Sequence, residues 1–439
     1  MDPTVIGLIS IAALFALILI GFHIGIALML TSFAGVYFIT GRLTVGANLL
    51  KTTAYSAIAD YVFAIIPLFI FMGLLTTAAG ATRELFTSAE QLLRRVRGGV
   101  GVATVVANAV FAAITGVSVA SAAVFSKLAV PEMERLNYDR RFSLGIVASS
   151  ALLGMLIPPS ILMIVYAVLT EQSVGKLFAA GLVPGLLVAG ALSAAIWGMV
   201  TLWPRLGGVG IERQEVPARD RYLAIVKPWP IYLLIALVLG GIYGGFFTPT
   251  EAGAVGAFGA LCLLIARGKF STRGMIDLLL ETGKASASIF FLLIAASMYS
   301  RMLTLSRLPA ELTEWIIHLQ VHPAVVFLAL IVLLLILGMI LDSVSILLLT
   351  VPIIAPVASA LGYDLIWLGI VVIITVELGL LTPPFGMVVF AMKAALPDSV
   401  KLEDIYAGSA PFLIVLLLML AVIIMFPQLT LFVPNLLFG

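Results

Sequence analysis

A double proline interrupts an apolar stretch in each half of this sequence: GMLIPPSILM at residues 154–163 and GLLTPPFGMV at residues 379–388. Proline removes a backbone N–H donor and clashes with the preceding helical turn, so two in a row end a helix. Neither stretch is flanked by the polar residues that mark a surface turn. The sequence therefore predicts two helices that are broken inside apolar surroundings.

The composition indicates a membrane protein. Of the 439 residues, 62% are apolar and 10% are charged, which leaves too little polar surface to cover a soluble globule. The first apolar segment has no basic n-region and no A-x-A-like cleavage site, so we expect a retained span and not a signal peptide. A lone Cys262 excludes an intrachain disulfide, and no basic patch indicates nucleic-acid binding.

Most apolar runs have the length of about 20 residues that a helical span needs. Two runs, at 99–126 and 315–363, are interrupted by the small and hydroxyl residues of ITGVSVAS and LDSVS. Such interruptions favour re-entrant helical hairpins, which enter and leave on one side. We count ten spans and two hairpins. The predicted hairpins are 99–136 and 322–361, and the predicted broken helices are 140–170 and 363–396.

The distribution of basic residues supports two hairpins. If both are re-entrant and the N-terminus is outside, eighteen of the 24 Lys and Arg residues lie on the inner side, as the positive-inside rule requires. Treating either hairpin as one crossing would reverse everything that follows it and remove this asymmetry. Both termini are therefore expected outside.

The two halves of the sequence are related by a shift of 225 residues, which places Ser118 on Ser343 and the first double proline on the second. Five predicted crossings lie between the two hairpins, so the two copies point in opposite directions. This is an inverted-topology repeat, a plan typical of secondary transporters. The expected division is 1–205 for the first repeat, 206–227 for a cytoplasmic linker and 228–439 for the second repeat.

Discontinuous helices in such folds expose backbone carbonyls and helix ends that bind ions and anionic substrate groups near the bilayer midplane. In each repeat, a hairpin tip is expected to face a broken helix. The alternative is that the double prolines only kink a helix for packing. The candidate ion or substrate ligands are Gly116, Val117, Ser118, Pro158, Pro159 and Ser160 in the first repeat, and Asp342, Ser343, Ser345, Thr382, Pro383 and Gly386 in the second.

Several motifs resemble one family. IPLFIFMG (66–73), GMLIPPS, FFTPTEAGA (246–254), LDSVSILLLTVPI (341–353) and VELGLLTPPFG (376–386) are similar to the large membrane subunit of TRAP transporters, the DctM-like family. The resemblance implies sodium-driven import of an organic acid, such as a C4-dicarboxylate or a sialic acid, across the bacterial inner membrane. It also implies a periplasmic binding protein, a small four-helix membrane subunit and an elevator mechanism, with sodium as coupling ion and no other cofactor. First-hairpin tips in the family often carry an acidic residue where Ala122 stands here, so an ion site in this repeat would depend on backbone carbonyls and Ser118.

Individual charged residues have two interpretations each. Asp342 is an intramembrane carboxylate and hence a candidate ion ligand, but it also suits a local helix cap. Glu377 can orient the second break or line a cavity, or pair with a neighbouring helix. Lys127 lies deep enough to meet a substrate carboxylate, but its side chain can also snorkel to the inner surface. Glu251 follows Thr250 and indicates a helix start, and the three histidines show no ligand-like clustering.

Two other functions remain alternatives at this point. A carboxylate symporter that works without a binding protein has the same repeat plan. An intramembrane enzyme would also place polar residues in broken helices, but the sequence has no zincin motif and no Ser-His or Asp-Asp arrangement at matched depth. We therefore expect a transporter, not an enzyme.

Overall fold

The computed structural model describes residues 2–59, 61–208, 217–318 and 320–438, and these ranges are almost entirely helical. The helices of the first half are α1 (Pro3–Ile20), α2 (Ile24–Thr40), α3 (Leu43–Ser56), α4 (Ile65–Ala78), α5 (Ala81–Leu93), α6 (Gly99–Thr115), α7 (Ser118–Arg135), α8 (Arg140–Ala151), α9 (Leu153–Leu156), α10 (Ile161–Thr170) and α11 (Val174–Leu202). Those of the second half are α12 (Ala218–Val226), α13 (Trp229–Tyr243), α14 (Pro249–Ala266), α15 (Thr272–Leu305), α16 (Leu308–His318), α17 (Pro323–Gly338), α18 (Ser343–Ala360), α19 (Leu365–Gly379), α20 (Met387–Ala395), α21 (Leu402–Met425) and α22 (Gln428–Phe438).

The helices have the length and composition of membrane spans. Within the described ranges, eight are long and apolar enough to cross a bilayer, and the pair formed by α8–α9 and α10 adds a ninth that is bent by 41°. Large apolar side chains stay exposed around the molecule, as with Leu19 (76% exposed) and Phe246 (81% exposed). Such apolar side chains are stable in contact with lipid chains, whereas their contact with water is unfavourable. The chain is an all-α polytopic membrane protein, and this part of the fold prediction is confirmed.

Local sequence sets the helix ends. Asp2 caps α1 by accepting a hydrogen bond from the Thr4 backbone N–H at 3.0 Å, and Asp364 caps α19 in the same way. Thr248 and Glu251 form a reciprocal capping box at the start of α14. Glu251 therefore has the helix-start role that its sequence position indicates.

Three segments differ from the simple hydropathy interpretation. Residues 271–284 are too polar to span a membrane comfortably, yet they continue into the next span within the 34-residue α15. The last apolar run is divided into α21 and α22 at Phe426 and Pro427. In the predicted linker 206–227, the part from residue 218 forms α12, while residues 209–216 lie outside the described ranges.

The shift of 225 residues that relates the two halves also relates their helices. It places α13 on α1, α14 on α2, α17 on α6, α18 on α7 and α21 on α11. The packing follows the same relation, because α7 packs against α20 while α18 packs against α10. The helix that follows each predicted hairpin tip, α7 or α18, therefore lies against the broken helix of the other repeat.

At each tip the chain reverses between two helices. Between α6 and α7 it turns at Gly116 and Val117, and the Tyr138 side chain beyond α7 lies against the backbone at Val100 and Gly101 near the start of α6. In the pair α17 and α18, the Phe327 ring near the start of α17 contacts the Tyr363 ring beyond the end of α18, with centroids 5.0 Å apart and planes tilted by 38°. The two ends of each helix pair are thus neighbours, which is the geometry of a hairpin.

Glycine allows a close crossing between α8 and α21. A Cβ added at Gly145 of α8 would lie 1.9 Å from the Gly408 carbonyl oxygen of α21. Small residues of this kind let membrane helices approach at backbone distance. The broken helix of the first repeat is therefore held tightly against the second repeat.

Candidate functional site

The first tip contacts the first broken helix through backbone atoms. Gly116 has φ +63°, and the Ile161 N–H donates to its carbonyl oxygen at 3.4 Å. A Cβ at Gly116 would lie 2.5 Å from the Pro159 carbonyl oxygen, and one at Gly154 would lie 2.9 Å from the Ser118 nitrogen. The structure therefore brings the predicted residues of the first repeat together, with room only for glycine at two of the contact points.

The polar groups of this first site are buried. Ser160 is the N-cap of α10, and its hydroxyl accepts from the Met163 N–H at 3.5 Å. The preceding Pro158–Pro159 peptide bond is cis, and both prolines are buried. Ser118 is the first residue of α7 and is fully buried, and its hydroxyl makes no hydrogen bond of ordinary geometry to any of the described residues. An unsatisfied buried hydroxyl beside a helix break suits a small cation.

The second tip is organised by Asp342. Its side chain accepts from the Ser345 backbone N–H at 3.1 Å and also from the Ser345 hydroxyl, so it caps α18. The helix-cap interpretation of Asp342 thus accounts for its geometry. The carboxylate is only partly buried, and its remaining lone pairs are compatible with a second role as an ion ligand.

The second break differs from the first in its exposure and its partners. The Thr382 hydroxyl donates a hydrogen bond to the Leu378 carbonyl oxygen at 2.8 Å. The Tyr406 hydroxyl of α21 lies 3.1 Å from the Pro384 carbonyl and 3.0 Å from the Phe385 carbonyl. Gly386 has φ +44° and starts α20. Pro383 and its neighbour Pro384 form a cis bond and are exposed. The Tyr406 hydroxyl thus lies within hydrogen-bonding distance of two backbone carbonyls of the second break.

Glu377 lies between the two tips. It is 2% exposed, and the Ser343 hydroxyl of the second tip donates to its Oε1 at 3.0 Å. The Ser118 hydroxyl of the first tip also interacts with this carboxylate, yet neither Ser118 Oγ nor Glu377 Oε2 is satisfied by a hydrogen bond of ordinary geometry. Sequence reasoning left Glu377 out of the site; the signal for it was an acidic residue two positions before the end of an otherwise charge-free helix.

The second tip meets α19 at its end and not at the double proline. A Cβ at Gly338 would lie 2.7 Å from the Gly379 Cα atom, two residues beyond Glu377. Ser343 is brought to Glu377, whereas the hydrogen bonds of Thr382 and of the 384–385 carbonyls go to α19 and α21. Lys127 is exposed on α7, nine residues beyond Ser118.

A cavity of about 820 Å³ lies at the far end of α10 from its break. Its lining includes the guanidinium-bearing Arg301 of α15 together with Glu171 and several hydroxyl residues. Arg301 donates to the Ser56 hydroxyl at 3.1 Å. The cavity therefore offers a cationic group and hydroxyl groups to a polar solute.

Comparison with known proteins agrees with this architecture. Residues 11–429 match the model of the DctM component of the tripartite ATP-independent periplasmic transporters. The chain is 36% identical over 378 residues, 85% of this chain and 86% of the relative, to the C4-dicarboxylate TRAP transporter large permease protein DctM of Pseudomonas aeruginosa. It is 29% identical over 431 residues, 98% of this chain and 99% of the relative, to the sialic acid TRAP transporter large permease protein SiaM of Vibrio cholerae.

Two solved structures share the fold. The YdaH transporter of Alcanivorax borkumensis superimposes with a TM-score of 0.61 at 17% identity, covering 89% of each chain. MtrF of Neisseria gonorrhoeae gives 0.57 at 12% identity, covering 97% of this chain and 95% of that one. Together with the nearly full-length family match, these likenesses show that the chain belongs to the DctM component family of TRAP transporters and is a transporter permease, not an enzyme.

Proposed function

We propose that this chain imports an organic acid by secondary active symport with sodium. In this proposal a periplasmic binding protein delivers the substrate, and a small four-helix TRAP membrane subunit completes the permease in the bacterial inner membrane. The observation that carries the proposal is the pair of hairpin tips that converge on buried oxygens at broken helices. Polar backbone at this depth is tolerated where it binds a solute or lines its path.

Sodium fits the groups that converge at the tips. A small hard cation prefers carboxylate, hydroxyl and carbonyl oxygens, and the first site offers the Ser118 hydroxyl and, where the tip contacts the break, the Pro159 carbonyl. The second site offers the carboxylate and hydroxyl oxygens of Asp342, Ser343 and Ser345. Sodium is transported here as cargo, and its gradient supplies the driving force.

The contacts between distant segments support the inverted topology with both termini in the periplasm. Residues assigned to the inner side contact one another: Arg267 pairs with Glu84, and Arg141 pairs with Asp404 at 2.8 Å. On the assigned outer side, Thr4 donates to the Ser306 carbonyl at 3.3 Å. Near the C-terminus, α22 packs against α11 beside Gly175. Each of these contacts joins segments that the proposed topology assigns to the same side of the membrane.

An elevator movement of the tips with the broken helices is consistent with the packing. The crossed packing of α7 on α20 and α18 on α10 joins both repeats into one unit. In a second symmetric set, α2 packs against α15, α15 against α4, and α4 against α14. In the proposed mechanism the first unit moves and the second set holds the position in the membrane.

The substrate class follows from the site chemistry and from the relatives. Relatives are named for C4-dicarboxylates, sialic acid and 2,3-diketo-L-gulonate, which are all organic acids. The cavity with Arg301 offers this chain a cation for a carboxylate on the side assigned to the periplasm. Lys127 offers a second cation on the inner side.

Uptake in proteoliposomes tests this function. The chain is reconstituted with and without the small subunit, and uptake of a panel of organic acids is measured with and without the binding protein, under a sodium or a potassium gradient. We expect uptake only with all three components and sodium. Full uptake by the chain alone would establish the stand-alone carboxylate symporter instead.

Cysteine labelling tests the topology. Single cysteines at Asn137 and Ser359 are introduced on a background in which Cys262 is replaced; both positions are exposed just beyond α7 and in the last turn of α18. Membrane-impermeant maleimide should label Ser359→Cys from the periplasm and Asn137→Cys only after the membrane is opened. Labelling of both from one side rules out the inverted repeat.

A further inference from the structure

We propose that Glu377 of the second repeat supplies the negative charge of the cation site in the first repeat. This site lies between Ser118 Oγ and Glu377 Oε2 and takes a small monovalent cation. The inference rests on the sodium coupling proposed above, and it assigns a carboxylate that both repeats share. It makes binding at the two tips cooperative.

The first repeat has no acidic residue of its own at this site. Residues 99–131, which form most of the first hairpin, contain no Asp or Glu, and neither do residues 140–170 of the broken helix. A cation held there by hydroxyl and carbonyl groups alone would lack a counter-charge in a low-dielectric interior. The carboxylate that interacts with Ser118 comes from α19 of the other repeat.

Among the residues that the structure describes, no Lys, Arg or His acts on the Glu377 carboxylate. The helices packed against α19 are α9, α10, α11, α17, α18, α21 and α22. Their charged residues are Lys176 in the first turn of α11, Glu403 and Asp404 in the first turn of α21, and the carboxylate Asp342 that caps α18 next to Ser343. Asp404 pairs with Arg141 at the inner surface, and the groups that act on the Glu377 carboxylate are the hydroxyls of Ser118 and Ser343. A buried carboxylate in such surroundings requires a cation or a proton.

The two carboxylate oxygens of Glu377 face different repeats in this proposal. Oε1 accepts from Ser343 at 3.0 Å and so fixes the carboxylate to the second tip. Oε2 is left unsatisfied, as is Ser118 Oγ on the first tip. Two unsatisfied buried oxygens that belong to interacting side chains are the donor set that a small cation needs.

The repeat relation explains why one carboxylate serves both tips. The shift of 225 residues places Glu377 on Leu152, which lies between α8 and α9 in the first half of the other broken helix. Leu152 and Glu377 line the same small void, together with Leu156 and Leu378. The two broken helices therefore meet at this position, and a charge on either is within reach of the centre between the tips.

Coupling between the tips follows from this geometry. A cation at Ser118 binds the Glu377 carboxylate, and the same carboxylate accepts a hydrogen bond from Ser343. Ordering of the first tip therefore also fixes the position of Ser343 in the second tip. The first cation therefore prepares the second site. Sodium dependence is then cooperative, with a Hill coefficient above one.

The test is a sodium titration of Glu377→Gln, which keeps the shape and the bond to Ser343 but removes the charge. Two measurements are made on the full-length protein: sodium-dependent thermal stabilisation in detergent, which needs neither substrate nor partners, and sodium-dependent uptake with all partners. We expect half-saturation at about tenfold higher sodium, corresponding to about 1.4 kcal/mol, and a Hill coefficient that falls to one. Glu251→Gln, which removes an exposed carboxylate far from the tips, is the control and should keep the wild-type curve.

A relocation variant keeps the test informative if Glu377→Gln is unstable. Glu377→Leu removes the carboxylate, and adding Leu152→Glu restores one at the symmetry-related position. The double variant should bind sodium more tightly than Glu377→Leu alone, which a merely structural role of Glu377 would not produce.

The outcomes separate the two proposals. If the wild-type protein shows neither sodium stabilisation nor sodium-dependent uptake, sodium coupling itself is wrong. If the wild type shows both and Glu377→Gln has the same titration curve, only the shared carboxylate is refuted. A variant that keeps its sodium curve but loses the pH dependence of uptake would assign Glu377 to a proton and overturn the inference.

Discussion

Replacing Gly116 with alanine is expected to separate the first tip from its broken helix. Gly116 has φ +63°, and an added Cβ would lie 2.5 Å from the Pro159 carbonyl oxygen and 3.3 Å from the Ser160 Cα atom. These neighbours are backbone atoms, which cannot rotate away as a flexible side chain does. The substitution therefore combines backbone strain with overpacking at the contact that forms the site.

Gly41 provides a matched control for the strain. It has φ +68°, and no heavy atom lies within 4 Å of its added Cβ. The left-handed conformation costs a non-glycine residue about 1–2 kcal/mol, and overpacking adds about 1–3 kcal/mol. Gly41→Ala should lose the first amount only, and Gly116→Ala should lose the sum, about 2–5 kcal/mol.

Thermal denaturation of the purified variants and sodium-driven uptake in proteoliposomes measure the difference. We expect Gly116→Ala to denature at lower temperature than Gly41→Ala and to lose most of its uptake, while Gly41→Ala transports normally. Equal denaturation temperatures together with intact uptake in Gly116→Ala would show that the tip and the break do not form a tight contact.

Two further changes test the second tip and the interface between the repeats. Asp342→Asn retains the ability to cap α18 but loses its charge. A role in ion binding therefore predicts sodium half-saturation at about tenfold higher sodium or more, as for loss of a charged hydrogen bond of about 1.5–3 kcal/mol. Asp364→Asn, at the outer end of α19, should leave the sodium titration unchanged, and an unshifted Asp342→Asn curve would leave only the helix-cap role. Gly145→Ala places a methyl group 1.9 Å from the Gly408 carbonyl oxygen and should lower the denaturation temperature. The control is Gly190→Ala, whose added methyl group meets none of the described atoms within 4 Å and should leave the protein much more stable. Equal denaturation temperatures of the two variants would contradict the close helix crossing.

The sequence predicts the broken helices and the tips because their chemistry is local. Proline, glycine and serine act on their own turn of backbone, so the ends of α6 and α17 and the break before α10 follow from short motifs. The internal repeat adds long-range information, because one shift of 225 residues aligns the second-half helices with those of the first half. Charge-free length, by contrast, misplaces boundaries: Thr272–Leu305 is one helix although its first turns are polar.

The partners of individual side chains are not visible in the sequence because they depend on tertiary packing. Tyr406 occupies the carbonyls at Pro384 and Phe385 from a helix about twenty residues further along the chain, and no local pattern indicates this. Glu377 reaches Ser343 over 34 residues and Ser118 from the other repeat. Sequence reasoning compared each tip with its own break, whereas the crossed packing brings each tip to the other repeat as well.

The departure from symmetry at the centre has an electrostatic reason. Leu152 and Glu377 occupy equivalent repeat positions and line one void, so a second carboxylate at residue 152 would place two like charges side by side in a dry interior. Such a pair cannot remain doubly ionised, because each charge disfavours the other. One carboxylate and one leucine avoid that repulsion, and the crossed packing still gives both tips access to the same charge. An inverted repeat can therefore keep two symmetric paths for the backbone while it uses a single, unsymmetric charge to link them.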